Sequence, residues 1–263
     1  MLNNLFMLDN IKSFNYDRYD FNEIGLKLLY ISCFLLPTAP FLAGISIIIS
    51  LAFSRNNKPI EFFKEKSNKV FVLISLLMIC SCIYNFFDTT NFINKKIENL
   101  PWISLINWIP FFWLFWAFQP YLEKFKERKT VARFLLFGTI PVIISGFLQY
   151  FFEITGPFRI LNGLIVWYQK PLSITDGLTG PFNNANYAGS WLGIVFPFAI
   201  YFFISSKNKS KRFITGIICI GFIISLFLTN SRNSWIGMLM TVLIMFGFNK
   251  FFFIFPIFLG AAI

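Results

Sequence analysis

Apolar runs of about 17–25 residues recur along the whole chain, and a helix of that length crosses the ~30 Å hydrocarbon layer of a bilayer. They fall at residues 26–53, 70–87, 100–119, 131–152, 186–205, 213–229 and 233–248. Of the 263 residues, 56% are hydrophobic and only 13% charged, a balance that belongs to integral membrane proteins and not to soluble domains. The expected fold is therefore all-α: a polytopic membrane helical bundle of about seven complete transmembrane helices. An eighth run, 251–263, has 13 residues where a span needs ~20. It is expected to be a truncated helix, which makes the chain the N-terminal part of a longer protein. Residues 1–25 form a polar N-terminal tail and 26–263 the helical membrane domain. The tail lacks the basic-then-apolar order of a secretory signal, so the run from Leu26 to Phe53 is the expected insertion signal.

The first run carries Pro37-Thr-Ala-Pro40 at its centre. Two readings follow: one kinked, tilted helix, or a tight pair of short helices. The first puts the N-terminus outside and the second puts it inside.

The net charge of +11 is distributed unevenly. Arg55, Lys58, Lys64, Lys66 and Lys69 fill one inter-helix loop. Lys124, Lys126, Arg128, Lys129 and Arg133 fill another, and Lys207, Lys209, Lys211 and Arg212 a third. The intervening loops hold only Lys95, Lys96, Arg159, Lys170 and Arg232. Basic residues in alternate loops are the positive-inside pattern, so the charge sets orientation and no nucleic-acid partner is expected. Cys33, Cys80, Cys82 and Cys219 all lie in apolar runs, where thiols behave as small apolar side chains; neither disulfides nor a metal site is expected.

Soluble catalytic signatures are missing. The chain has no His, no GxxxxGK[ST] loop and no GxGxxG turn, and no acidic residue follows Asp176. The absence of carboxylates within the spans counts against a proton-driven carrier. The longest outer segment, about 153–185, contains Glu153, Arg159, Lys170, Asp176 and an apolar stretch from Ile160 to Tyr168. That stretch reads either as a short helix lying on the outer leaflet or as a substrate-facing flap. Trp167 and Tyr168 suit an interfacial position.

Two polar breaks open new apolar runs: Gly180-Pro-Phe-Asn-Asn-Ala-Asn-Tyr-Ala-Gly189 and Leu228-Thr-Asn-Ser-Arg-Asn-Ser-Trp235. With the basic loops inside, both runs begin at the outer face. A helix start carries about half a positive charge and up to four unpaired N–H groups. Asn183, Asn184 and Asn186 surround one start; Asn230, Ser231 and Asn233 surround the other, with Arg232 among them. These features suit a phosphate or diphosphate group, which an Arg grips through two oxygens. The competing reading is that the Asn and Ser residues only cap while Arg232 snorkels to lipid headgroups.

The first break resembles the Gly-x-Phe-x-Asn-x-Asn segment that leads into a membrane helix in the O-antigen ligase and polymerase superfamily. Thr229-Asn-Ser-Arg-Asn-Ser-Trp235 is similar to the Ser-Arg-Gly-Ala-Trp-like start of that family's core region. The resemblance covers the scaffold from about residue 26 onward, with specificity in these two motifs. It implies a multi-pass protein of the bacterial inner membrane. Such a protein passes a glycan from undecaprenyl diphosphate to a sugar hydroxyl on a glycan or lipid acceptor at the periplasmic face, with no cofactor. Arg232 would hold the diphosphate and act in catalysis. Asn186, Asn183, Ser231, Arg159 and Lys170 are the candidate substrate-binding residues.

The family's large periplasmic loop, with its proposed His base, would lie beyond residue 263. Within the chain, Asp176 and Glu153 are the substitutes on offer, and the resemblance implies that the chain as given lacks the base of that reaction. Two other readings stand beside the transferase: a carrier of bicarbonate or another small anion, as described for members of the same superfamily, and a membrane protein without catalytic role.

Overall fold

Pro37 and Pro40 break the first apolar run into two helices. The computed structural model describes residues 21–55, 59–87, 100–173 and 176–248. In it, α1 covers residues 21–35 and α2 covers Pro40–Ala52. The two fold back on each other: Ser50 Oγ donates to the Gly25 carbonyl at 2.7 Å, and the Phe21 and Phe53 rings stack at 5.6 Å. A helical pair, and not one kinked helix, is what the two prolines produce. Residues 21–25, polar enough to read as tail, already belong to α1.

The six later apolar runs are each helical. They form α4 (Lys69–Phe87), α5 (Leu100–Ala117), α6 (Phe125–Phe152), α7 (Ala185–Ser205), α8 (Lys209–Leu228) and α9 (Arg232–Phe246), with a short α3 (Pro59–Lys64) in the first basic loop. Three of them, α6, α7 and α8, are long and apolar enough to cross a membrane. The run 251–263 and Lys95 and Lys96 lie outside the described residues.

The chain divides into two compact units, Met1–Leu28 with Ile47–Arg128 and Leu29–Ser46 with Lys129–Ile263. In the first, an aromatic cluster forms the core: Phe62 stacks on Trp113 at 6.0 Å, and Trp113 meets Trp116 edge-on. Tyr121 is buried beside it in the chain and donates to the Ser50 carbonyl at 2.8 Å.

The second unit carries the site. Trp191 Nε1 of α7 donates to Thr139 Oγ1 of α6 at 2.9 Å, while Arg133 lies over the Phe202 ring at 5.9 Å. Rising numbers on one helix meet falling numbers on the other, so α6 and α7 are antiparallel. Phe196 against Phe222, and Arg212 over Phe203, make α7 and α8 antiparallel too. Val142, Leu192, Val195, Phe196, Phe222 and Leu226 fill the centre. Lipid tails are as apolar as these side chains, so close packing and interhelical hydrogen bonds, more than water exclusion, hold such helices together. Asn208 caps α8 by accepting from Ser210 N at 2.9 Å and Lys211 N at 3.3 Å. Asn230, in the left-handed conformation that Asn tolerates, ends it. One end of this unit therefore gathers Lys129, Arg133 and Arg212, and the other holds the starts of α7 and α9.

Candidate functional site

The two motif-bearing helix starts touch. A Cβ at Gly189 would fall on Ser234 Oγ and within 2.9 Å of Ser231 Cβ, so only glycine lets α7 approach α9 this closely. Asn184 is the N-cap of α7, and its side-chain oxygen accepts from Asn186 N at 2.7 Å. Ser231 is the N-cap of α9, but its side chain makes no capping bond. Its Oγ instead accepts from Ser234 Oγ at 2.9 Å, inside the protein.

These starts are recessed. The Trp191–Thr139 bond sets α7 against α6, and counting back from it places Ala185 level with about residue 145. At ~1.5 Å per residue, α6 then continues about 10 Å past the start of α7.

A non-helical strap, residues 169–173 and 176–181, packs against the end of α6 beside these starts. Gln149, on the last turns of α6, is buried and fully engaged. Its Nε2 donates to the Lys170 carbonyl at 2.7 Å and to Thr179 Oγ1 at 2.8 Å, and its Oε1 accepts from Thr179 N at 3.0 Å and Gly180 N at 2.9 Å. Gln169, also buried, donates to the Ile154 carbonyl at 2.7 Å and accepts from Ser145 Oγ. Leu178 N donates to the Leu228 carbonyl at 2.7 Å, satisfying an orphan acceptor at the end of α8. Gly177 lies directly on the Thr229 carbonyl, where a side chain would collide. Irregular backbone survives at membrane depth only when protein groups satisfy it, and here they do.

The stretch from Ile160 to Tyr168 is not a helix. It forms a two-stranded hairpin, β1 (Phe158–Ile160) against β2 (Ile165–Trp167), with Arg159 opposite Val166. Asn162 and Gly163 turn the chain with φ of 54° and 91°. Such Asn-Gly turns favour hairpins because both residues accept positive φ. Trp167 Nε1 donates to the Thr38 carbonyl at 2.8 Å, fixing the hairpin to the turn between α1 and α2.

Arg232 is the first residue of α9 and is exposed, with no ion-pair partner among the described residues. Asn183 and Asn186, both exposed, flank the start of α7. Ser231 belongs to this group by position, but its hydroxyl is buried against Ser234. Lys170 is half-buried, and its ammonium pairs with Asp176 at 3.1 Å. Asp176 also accepts from Ser173 N at 3.0 Å and Ser173 Oγ at 2.9 Å. The backbone bond first, then the hydroxyl and Lys170, holds its carboxyl down at about 2. Arg159 is exposed on β1, and among the described residues no hydrogen bond or ion pair joins it to the α7 and α9 starts. The structure thus puts in contact the two helix starts that carry Asn183, Asn186, Ser231 and Arg232, and commits Lys170 to its ion pair with Asp176.

Gln149, Gln169 and Thr179 are the residues that sequence reading missed. Gln149 was open to detection, because an amide inside an apolar run must find partners. Among the described residues, no group of three or more His, Cys, Asp or Glu could hold a metal ion. No protein-family model matches the chain, and no curated protein or solved structure matches it.

Proposed function

We propose that this protein transfers a glycan from undecaprenyl diphosphate to a sugar hydroxyl at the periplasmic face of a bacterial inner membrane, as the O-antigen ligase and polymerase superfamily does. The contact of Gly189 with Ser231 and Ser234 carries the reading, because it joins the two motifs that resemble that family into one recess. In this reading α4 to α9 cross the bilayer in alternation, the basic loops face the cytoplasm and the α1–α2 pair returns the N-terminus to that side.

The chemistry follows from the recess. Attack by the acceptor hydroxyl breaks the bond between the sugar and the diphosphate, and negative charge grows on the leaving oxygen. The Arg232 guanidinium grips two phosphate oxygens, and the start of α9 adds its partial positive charge. A bound lipid-linked donor that excludes water from the recess would make these groups act more strongly than they do at a free surface. Asn183, just before α7, and Asn186, in its first turn, offer amides to the same group. The proton of the acceptor needs a base, and Asp176 is a poor one: its lone pairs are engaged by Ser173 and Lys170, and its affinity for a proton is low.

Arg232→Ala in the full-length protein should lower glycan transfer about 100-fold or more, in line with the loss of one transition-state donor. The amount of protein in the membrane should not change. Arg232→Lys should recover little, because the fork geometry is lost. Blotting of surface polysaccharide, with membrane fractions as the control, reads both. A normal polysaccharide pattern in Arg232→Ala would overturn the proposal.

A further inference from the structure

The β1–β2 hairpin exposes an apolar surface that nothing among the described residues covers. Phe158, Ile160, Leu161 and Leu164 are all exposed, Leu161 at the tip by 60%. A two-stranded ribbon is marginal in water by itself, and one that shows apolar side chains on one face and at its tip needs another environment.

What covers it is indicated by its surroundings. In the last turn of α6, Phe151 and Phe152 are 60% and 70% exposed, and Ile154 is exposed as well, with the exposed Glu153 between them. That helix is long and apolar enough to cross a membrane, so its exposed flank meets lipid. The hairpin begins six residues after Phe152. Its height is fixed: Trp167 is bonded to Thr38, Gly156 N donates to the Gln169 carbonyl at 2.8 Å, and Tyr168 N donates to the Pro181 carbonyl at 3.0 Å. From 154 to 175 the sequence has no acidic residue, and Arg159 is the one charge on the strands. A guanidinium among apolar side chains suits the phosphate level of a leaflet, where its stem lies in the apolar layer and its head reaches the headgroups.

We propose that the β1–β2 hairpin inserts its apolar tip into the lipid leaflet beside the C-terminal end of α6, with Arg159 at the lipid phosphates. The hairpin then acts as a fixed float. It holds the strap, and with it the recess between α7 and α9, at a set depth below the headgroups. This rests on α6 crossing the bilayer and not on glycan transfer, so the two proposals fail separately.

The test uses the full-length, cysteine-free chain reconstituted into phosphatidylethanolamine–phosphatidylglycerol vesicles. An environment-sensitive fluorophore is placed at Leu161→Cys, with Leu164→Cys as a second tip position and Ser173→Cys, on the exposed part of the strap, as the reference. Both tip probes should show blue-shifted emission and quenching by lipids brominated near the headgroup, several-fold stronger than for Ser173→Cys. The quenching should not depend on the protein-to-lipid ratio. Water-like emission at both tip positions would overturn the proposal. So would shielding that appears only at high protein-to-lipid ratio, which would assign the surface to a second copy of the chain.

Discussion

The starts of α7 and α9 are built from the same kinds of residue, yet they satisfy their free amides differently. At α7 the Asn184 side chain bonds the first turn and the helix end is closed by its own sequence. At α9 the corresponding side chain, Ser231, is turned away to serve Ser234, and an exposed Arg232 follows it. Cap-forming residue types mark where a helix begins; whether the cap is used depends on what the neighbouring helix requires. Here α7 packs so tightly on Ser231 that the hydroxyl becomes part of the helix contact, and the second start stays open.

The contact between the starts is the first place to break this comparison. Gly189→Leu should drive α7 from α9 and cost stability at the upper end of the ~1–3 kcal/mol seen on overpacking. Gly237→Leu, at an exposed position where an added Cβ meets no other side chain or helix among the described residues within 4 Å, should change it little. Thermal unfolding of the detergent-solubilised variants measures the gap, and equal midpoints would show that the starts are not packed as described.

Next in size is Ser231→Ala, which leaves the buried Ser234 hydroxyl without its acceptor and should cost about 1–3 kcal/mol. Asn184→Ala removes only a cap and should cost about 1 kcal/mol. The same unfolding measurement ranks them, and the reverse order would mean that Ser231 is the lesser of the two anchors.

The smallest effect concerns the strap. Asp176 has its folded pKa lowered from 3.8 to about 2, so its bonds to Ser173 and Lys170 stabilise the strap fully above about pH 4. That contribution is lost as pH falls from there toward 2. Hydrogen exchange at Leu178, Thr179 and Gly180, corrected for intrinsic rates, should rise across this window in the wild type and show no such step in Asp176→Asn.

Much of the bundle was legible because helices in lipid announce themselves by length and apolarity. The six later runs appear as helices, and the Asn- and Ser-rich breaks mark two of their starts. The first run was ambiguous because two prolines three residues apart allow a kink or a reversal. The Ser50–Gly25 bond and the Phe21–Phe53 stack decide between them. The stretch from Ile160 to Tyr168 is ambiguous in sequence because its apolar residues and its Trp-Tyr pair suit an interfacial helix while Asn162-Gly163 suits a turn. That dipeptide between Ile160-Leu161 and Leu164-Ile165-Val166 is a hairpin signal. The strap could not be read at all: irregular backbone has no period, and its partners lie 20 to 30 residues away along the chain, as Gln149 does from Lys170 and Thr179. Of the candidate site, the Arg232 and Asn positions were visible as charge and cap types, whereas the commitment of Lys170 to Asp176 needed coordinates.

The most direct test of the central claim is the reactivity of a cysteine next to the guanidinium. Asn233→Cys leaves Arg232 in place and is exposed. In oriented membranes a membrane-impermeant maleimide should label it only from the face opposite the basic loops. Undecaprenyl diphosphate should slow that labelling, and the protection should vanish when Arg232→Ala is added. Labelling from the basic-loop face, or equal protection without Arg232, would contradict the account.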